Sequence, residues 1–156
     1  MAAVPKTVLL DTNVAAAWCF SEPGTPLAAA VEKRAREGTI ILAVPSLFWA
    51  EFQHVCKGKL APARGPALAR DVVEMAYAEL RAFGLIEIEG ELVRCRDAAW
   101  QYVLSLNLGS YDAYFCAVAV ERDLELWTLD EPLWKRTRSH AGLCGLVRLL
   151  GHDLAL

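Results

Sequence analysis

The chain has 156 residues, of which 55% are hydrophobic and 22% charged, so it is long enough and apolar enough to bury a sizeable core. This composition excludes a disordered chain, and no apolar run reaches the ~18–20 residues of a membrane-spanning helix. The net charge of −3 argues against a protein that binds nucleic acid through bulk positive charge. The five cysteines are widely spaced and the N-terminus has no secretory-signal pattern, so we expect a cytoplasmic protein with reduced thiols.

Short apolar segments rich in β-branched residues alternate along the chain with longer segments in which apolar residues recur three and four apart. The former predict strands around residues 8–10, 40–44, 85–88, 124–129 and 146–150. The latter predict helices around residues 27–37, 46–58, 67–82, 91–106 and 110–122, with Gly38, Gly84 and Gly109 at positions typical of helix ends. This alternation predicts one domain over residues 1–156, a three-layer α/β/α sandwich with a central, mostly parallel five-stranded sheet.

Lone carboxylates in apolar surroundings are the most informative feature of the sequence. Asp11, Glu51 and Asp112 are each the only formally charged residue in a long stretch, and no lysine or arginine lies nearby in sequence. An ionised carboxylate is costly to bury without a partner, so these positions need an explanation.

The predicted topology offers a way for these acids to meet. Asp11 follows the first strand and Asp130 follows the fourth, while Asp112 and Glu51 lie near the starts of two helices. In an open parallel sheet, the carboxyl ends of the strands line the crevice where ligands bind. We therefore expect Asp11, Glu51, Asp112 and Asp130 to converge on one pocket.

Such a pocket favours a divalent cation. Two unit charges ~5 Å apart repel by about 3 kcal/mol at an effective dielectric constant of 20, and a cation among them offsets that repulsion. Ligands that are all oxygen favour Mg²⁺ or Mn²⁺ over zinc. These ions bind phosphates and lower the pKa of a bound water, so the pattern indicates hydrolysis of a phosphate ester.

Each acid also has a structural interpretation that the sequence leaves open. Asp11 is placed to cap a helix, and Asp112 could be a first-turn acid favoured by the helix dipole. Glu51 could be a solvated helix residue, although its neighbours are apolar. Asp130 precedes Glu-Pro, a combination that is common in turns.

Three segments carry a resemblance to a known family: LLDTNV at residues 9–14, PSLFWAEF at 45–52 and SYDAYFCAVAVERDLELWTLD at 110–130. The sequence resembles the PIN domains, and within them the VapC-type toxins of bacterial toxin–antitoxin pairs, over essentially the whole chain. The resemblance implies a metal site formed by Asp11, Glu51, Asp112 and Asp130, with Asn13 and Thr128 in supporting positions.

The resemblance further implies an endoribonuclease that cleaves RNA with Mg²⁺ or Mn²⁺, forms a homodimer, and is inhibited by a cognate antitoxin protein. A non-toxin PIN nuclease that processes RNA and an inactive PIN-like binding scaffold remain alternatives. Two other classes of protein fit less well. A haloacid-dehalogenase phosphatase needs an Asp at the position of Asn13, and a phosphate-receiver domain needs a lysine near the end of the sheet, but no lysine follows Lys135. Aromatic residues near the acids could belong to the core or line a groove for the antitoxin; they are Trp18, Phe20, Phe48, Trp49 and Phe52.

Overall fold

A computed structural model describes residues 4–155, and a sheet of five strands runs through its centre. The strands are β1 (Lys6–Leu10), β2 (Ile40–Pro45), β3 (Ile86–Ile88), β4 (Leu126–Thr128) and β5 (Val147–Leu149). All neighbouring strands are parallel, in the order β3-β2-β1-β4-β5. The predicted strands and the five-stranded parallel sheet are therefore confirmed.

Helices cover both faces of the sheet. They are α1 (Thr12–Cys19), α2 (Thr25–Arg36), α3 (Leu47–Leu60), α4 (Arg70–Ala82), α5 (Glu91–Arg94), α6 (Arg96–Leu106), α7 (Ser110–Arg122) and α8 (Glu131–Thr137). Helices α1–α4 pack against one another and α5–α7 form a second group. Because crossovers between parallel strands are right-handed, the two groups lie on opposite faces, as the predicted three-layer architecture requires. None of the helices within residues 4–155 has the length and apolar character to cross a membrane.

The central strand explains why the sheet is parallel and covered on both sides. Val8, Leu9 and Leu10 of β1 have no exposed surface, although successive side chains of a strand point to opposite faces. A continuous apolar run of this kind is typical of strands buried between two helical layers. Large side chains such as Phe48 and Phe115 belong to the same core as β1 and are almost fully buried.

Some helix boundaries differ from those that the sequence predicts. The segment 91–106 is two helices, separated at Cys95, where no glycine or proline marks the break. The helix predicted from residue 67 begins at Arg70, because the Leu68 N–H donates to the Lys59 carbonyl 2.9 Å away. Gly109 does not end a helix: Asn107 ends α6 at a left-handed φ of 52°, and Gly109 precedes α7.

The strand order reverses at the β1–β4 pair. The chain leaves β1 toward β2 on one side, and β4 is its neighbour on the other. In open parallel sheets, such a switch point leaves a crevice outside the carboxyl ends of the two strands. Leu10 and Thr128 end β1 and β4 at this crevice.

Candidate active site

Asp11 lies at the switch point, directly after β1 and before α1. It occupies the N-cap position of α1, but its side chain makes no capping hydrogen bond. Its Oδ2 instead accepts hydrogen bonds from the Thr128 hydroxyl (2.6 Å) and from Asn13 Nδ2 (3.0 Å). The helix-cap interpretation of Asp11 is therefore wrong: its carboxylate is held against the end of β4.

Thr128 and Asn13 join the two strand ends. The Thr128 hydroxyl, which has no exposed surface, also accepts from Asn13 Nδ2 (3.1 Å) and from the Asp130 backbone N–H (2.9 Å). Asn13 Oδ1 accepts from the Leu129 backbone N–H at 3.1 Å. Both residues that the family resemblance singles out as supporting thus contact Asp11, and they fix the position of its carboxylate.

Glu51 reaches the same region from the second turn of α3. Its side chain is half-buried, and its Oε2 accepts a hydrogen bond from the Thr12 hydroxyl at 2.5 Å. Because Thr12 follows Asp11 in the chain, this bond ties Glu51 to the end of β1. Glu51 is therefore not a solvated helix residue.

Asp112 and Asp130 complete the set from the other side of the crevice. Asp112 lies in the first turn of α7, is half-buried, and makes no hydrogen bond or ion pair with other residues in the range 4–155. Asp130 is also half-buried, and its Oδ1 accepts from the Leu133 backbone N–H at 2.8 Å. The Glu-Pro that follows Asp130 begins α8 instead of forming a turn, and Asp130 caps this helix through one of its two oxygens.

The four carboxylates influence one another electrostatically. Burial raises the pKa of Asp11 from 3.8 to about 7; the Thr128 hydrogen bond opposes this rise, and the charges of Glu51, Asp112 and Asp130 add to it. The structure therefore places the other three predicted acids within electrostatic range of Asp11.

The pKa values of Glu51 and Asp112 are raised, as is that of Asp11. Burial raises the pKa of Glu51; the hydrogen bond from Thr12 opposes this and the charge of Asp112 adds to it. Burial and the charge of Asp130 raise the pKa of Asp112, and Arg136 partly offsets them. Carboxyl groups that resist ionisation in the absence of a cation are typical of functional sites and of cation sites.

The donor set fits a hard cation that keeps most of its own water. Within residues 4–155, no group of three or more His, Cys, Asp or Glu side chains is close enough to enclose an ion. Mg²⁺, however, commonly uses only one or two carboxylates and retains several waters. Asp112 and the second oxygens of Asp11, Glu51 and Asp130 make no hydrogen bond with residues 4–155, so they could serve as such ligands.

Two polar residues near the site escaped the sequence analysis. Thr12, the donor to Glu51, stands beside Asp11 in the sequence but gives no sign of its partner 39 residues away. Glu91 is fully buried, and its Oε1 accepts from the Ser46 hydroxyl (2.5 Å) and the Leu47 N–H (3.1 Å) at the start of α3. A glutamate at a helix start is normally exposed, so no sequence signal could have identified this role.

Comparisons with known proteins identify solved structures with a similar fold. No functionally curated protein matches the sequence. The fold is similar to that of PAE2754 from Pyrobaculum aerophilum, with a TM-score of 0.60 and 19% identity over 90% of this chain and 83% of the other. It is also similar to VapBC2 from Rickettsia felis, bound to a DNA fragment from its promoter (TM-score 0.58, 16% identity, 88% and 95% covered). FitAcB from Neisseria gonorrhoeae is a third similar structure (TM-score 0.55, 16% identity, 83% and 91% covered).

At these identities the solved structures establish the fold alone. The sequence model of the PIN domain, in contrast, matches residues 8–138, which include every carboxylate of the candidate site. On that match over most of its length, the chain belongs to the PIN domain family.

Proposed function

We propose that this protein is an endoribonuclease that depends on Mg²⁺ or Mn²⁺ and hydrolyses RNA at the Asp11, Glu51, Asp112 and Asp130 carboxylates. PIN domains are generally nucleases, which supports the hydrolysis of a phosphodiester. The observation that carries the proposal is the placement of Asp11. Asp11 is buried among three other acids and its pKa is raised, so its ionised form destabilises the protein without metal. A protein with no catalytic or metal-binding role gains nothing from such an arrangement.

The roles of the side chains follow from their partners. Thr128 and Asn13 hold one oxygen of Asp11, which directs the other toward the crevice. Thr12 holds Glu51 in the same way from α1. Asp112 and the second oxygen of Asp130 would hold the ion together with them, because neither has a hydrogen-bond partner among residues 4–155. A divalent ion bound here supplies positive charge for the phosphate and lowers the pKa of an attacking water.

The test is cleavage of labelled single-stranded RNA in Mg²⁺, in Mn²⁺ and in excess EDTA. We expect cleavage with either metal and none in EDTA, with restoration when metal is added back. Asp123→Asn is a matched control for substitutions in the site, because Asp123 is an exposed acid that ends α7. Undiminished cleavage in EDTA would contradict the metal-dependent mechanism.

The biological role that we propose is that of a toxin held inactive by an antitoxin protein, in a homodimeric state. The resemblance to VapC-type toxins and the fold similarity to VapBC2 and FitAcB support it. The five aromatic residues that the sequence suggested for a groove do not all reach the surface. Phe20, Phe48 and Phe52 are buried in the core, which leaves the half-buried Trp18 and Trp49 for a partner.

Expression of the chain with and without its genomic neighbour tests this role. We expect growth arrest when the chain is expressed alone, and a stable complex with suppressed nuclease activity when a short adjacent gene is co-expressed. The Asp112→Asn variant controls for toxicity unrelated to cleavage, and we expect it to be harmless. Harmless expression of the active wild-type protein would favour the RNA-processing nuclease instead.

A further inference from the structure

Arg136 links the two segments that carry Asp112 and Asp130. It lies in the last turn of α8, the helix that Asp130 caps. Its Nη1 donates to the Asn107 carbonyl at 2.8 Å, and Asn107 ends α6 just before α7 begins with Asp112 in its first turn. This bond therefore anchors the helix that Asp130 caps to the segment that leads into the helix of Asp112.

The charge of Arg136 is free to act on a ligand. The side chain is exposed and makes no ion pair with an acidic residue in the described range of 4–155. Its positive charge partly offsets the rise that burial causes in the pKa of Asp112. Most of the other lysines and arginines within residues 4–155 form ion pairs instead, for example Lys59 with Glu22 and Arg94 with Glu121. The hydrogen bond to Asn107 uses one of its N–H groups, and the others have no hydrogen-bond partner among residues 4–155.

An acidic site that cleaves RNA must hold a polyanion against its own negative charge. Arginine matches the geometry of a phosphate with two parallel N–H donors and keeps its charge at all accessible pH values. We propose that Arg136 binds a phosphate of the RNA substrate next to the bond that is cleaved, and so positions the strand over Asp112 and Asp130. This inference rests on the proposed ribonuclease function.

Arg138 provides a matched control two residues further along. It also donates one N–H to a backbone carbonyl, that of Cys144, at 2.8 Å. Its guanidinium stacks on Trp134, 4.9 Å from the ring centroid, and it is not among the charges that shift the pKa of Asp11, Glu51 or Asp112. The two arginines therefore share a tethering role and differ in their relation to the site.

The experiment compares wild type, Arg136→Gln, Arg136→Lys and Arg138→Gln. Cleavage of a labelled single-stranded RNA is followed in Mg²⁺ from about 50 to 200 mM salt, a range over which phosphate contacts change affinity strongly. We expect Arg136→Gln to raise KM about tenfold with little change in kcat. The slope of log KM against log salt should fall by about 0.7, the value for one phosphate contact on a single strand. Arg136→Lys should keep the slope, and Arg138→Gln should match wild type.

Binding of the same RNA in EDTA, measured by fluorescence anisotropy over the same salt range, separates this inference from the proposed function. A wild-type protein that binds but does not cleave in any metal contradicts the function, and the salt slopes of binding still judge Arg136. A wild-type slope in Arg136→Gln, or an equal change in Arg138→Gln, overturns the phosphate contact. A lower melting temperature and kcat with an unchanged slope would assign Arg136 a purely structural role.

Discussion

Asp11 and Glu91 are both buried carboxylates that follow a strand at the same end of the sheet, but different groups surround them. Asp11 follows β1 and is held by side chains, Thr128 and Asn13, with three further acids in range. Glu91 follows β3 and accepts from the Leu47 backbone N–H and the Ser46 hydroxyl, so it caps α3 from a distant part of the chain. Burial alone therefore does not identify a functional acid. The other acids around Asp11 distinguish it, because Glu91 also has one oxygen, Oε2, that is buried without a hydrogen-bond partner among residues 4–155.

The largest expected effect is the loss of RNA cleavage when an acid of the candidate site is replaced by its neutral amide. Asp11→Asn and Asp112→Asn should reduce RNA cleavage by about 100-fold or more while the fold survives, because each removes a charged oxygen from the metal-binding set. Steady-state cleavage with circular dichroism as the folding check measures this. Full activity in both variants would remove the acids from the mechanism.

Glu91→Ala should mainly affect stability. It leaves the half-buried Ser46 hydroxyl and the buried Leu47 N–H without an acceptor and opens a cavity, so we expect the free energy of unfolding to fall by about 2–4 kcal/mol. Glu91→Gln keeps an acceptor oxygen and should lose less. Urea denaturation measures both, and an Ala variant as stable as wild type would show that the cap contributes nothing.

Thr128→Val tests the groups that hold Asp11. The substitution keeps the shape of the side chain but removes the hydroxyl that donates to Asp11 and accepts from Asn13 and the Asp130 N–H. Loss of a residue that orients a metal ligand typically costs 10–100-fold in activity or metal affinity, and we expect about that reduction in cleavage. Thr128→Ser should restore most of it; equal loss in both variants would point to packing instead.

The last effect, which is small for each pH unit, concerns the pH dependence of stability without metal. Because the pKa of Asp11 rises from 3.8 to about 7 on folding, the folded state keeps a proton that the unfolded state releases between these values. Stability should therefore fall as pH rises from about 4 to about 7, by roughly 1 kcal/mol per pH unit, and Asp11→Asn should lack this component. Urea denaturation in EDTA at several pH values measures the difference, and parallel curves for the two proteins would contradict the raised pKa.

The sequence predicts the fold and the positions of the four acids because both depend on local patterns. Apolar runs and helical spacing identify the layers, and strand ends identify the edge at which Asp11 and Asp130 meet. The partners of these acids cannot be predicted in this way. Thr12 and Glu51 are 39 residues apart, and Ser46 and Glu91 are 45 apart, so their hydrogen bonds depend on the packing of α1, α3 and α5.

The same limit explains the wrong helix boundaries. The break at Cys95 has no glycine or proline, and the left-handed end of α6 falls on Asn107 rather than on the nearby Gly109. Asparagine tolerates this conformation better than most residues, but its presence alone does not predict it. The position of Arg136 beside Asp112 depends on that turn, which is why the sequence gives no indication of it.

The most direct test of the account is the change in melting temperature caused by Mn²⁺ in the absence of RNA. An ion that binds only the folded state, present at ten times its Kd, stabilises it by about 1.4 kcal/mol, which corresponds to about 3–6 °C for a protein of this size. We predict a saturable rise of this order in wild type and in Glu91→Gln, and little or none in Asp112→Asn. No rise in wild type at millimolar Mn²⁺, or an equal rise in Asp112→Asn, would contradict a metal site at the β1–β4 switch point.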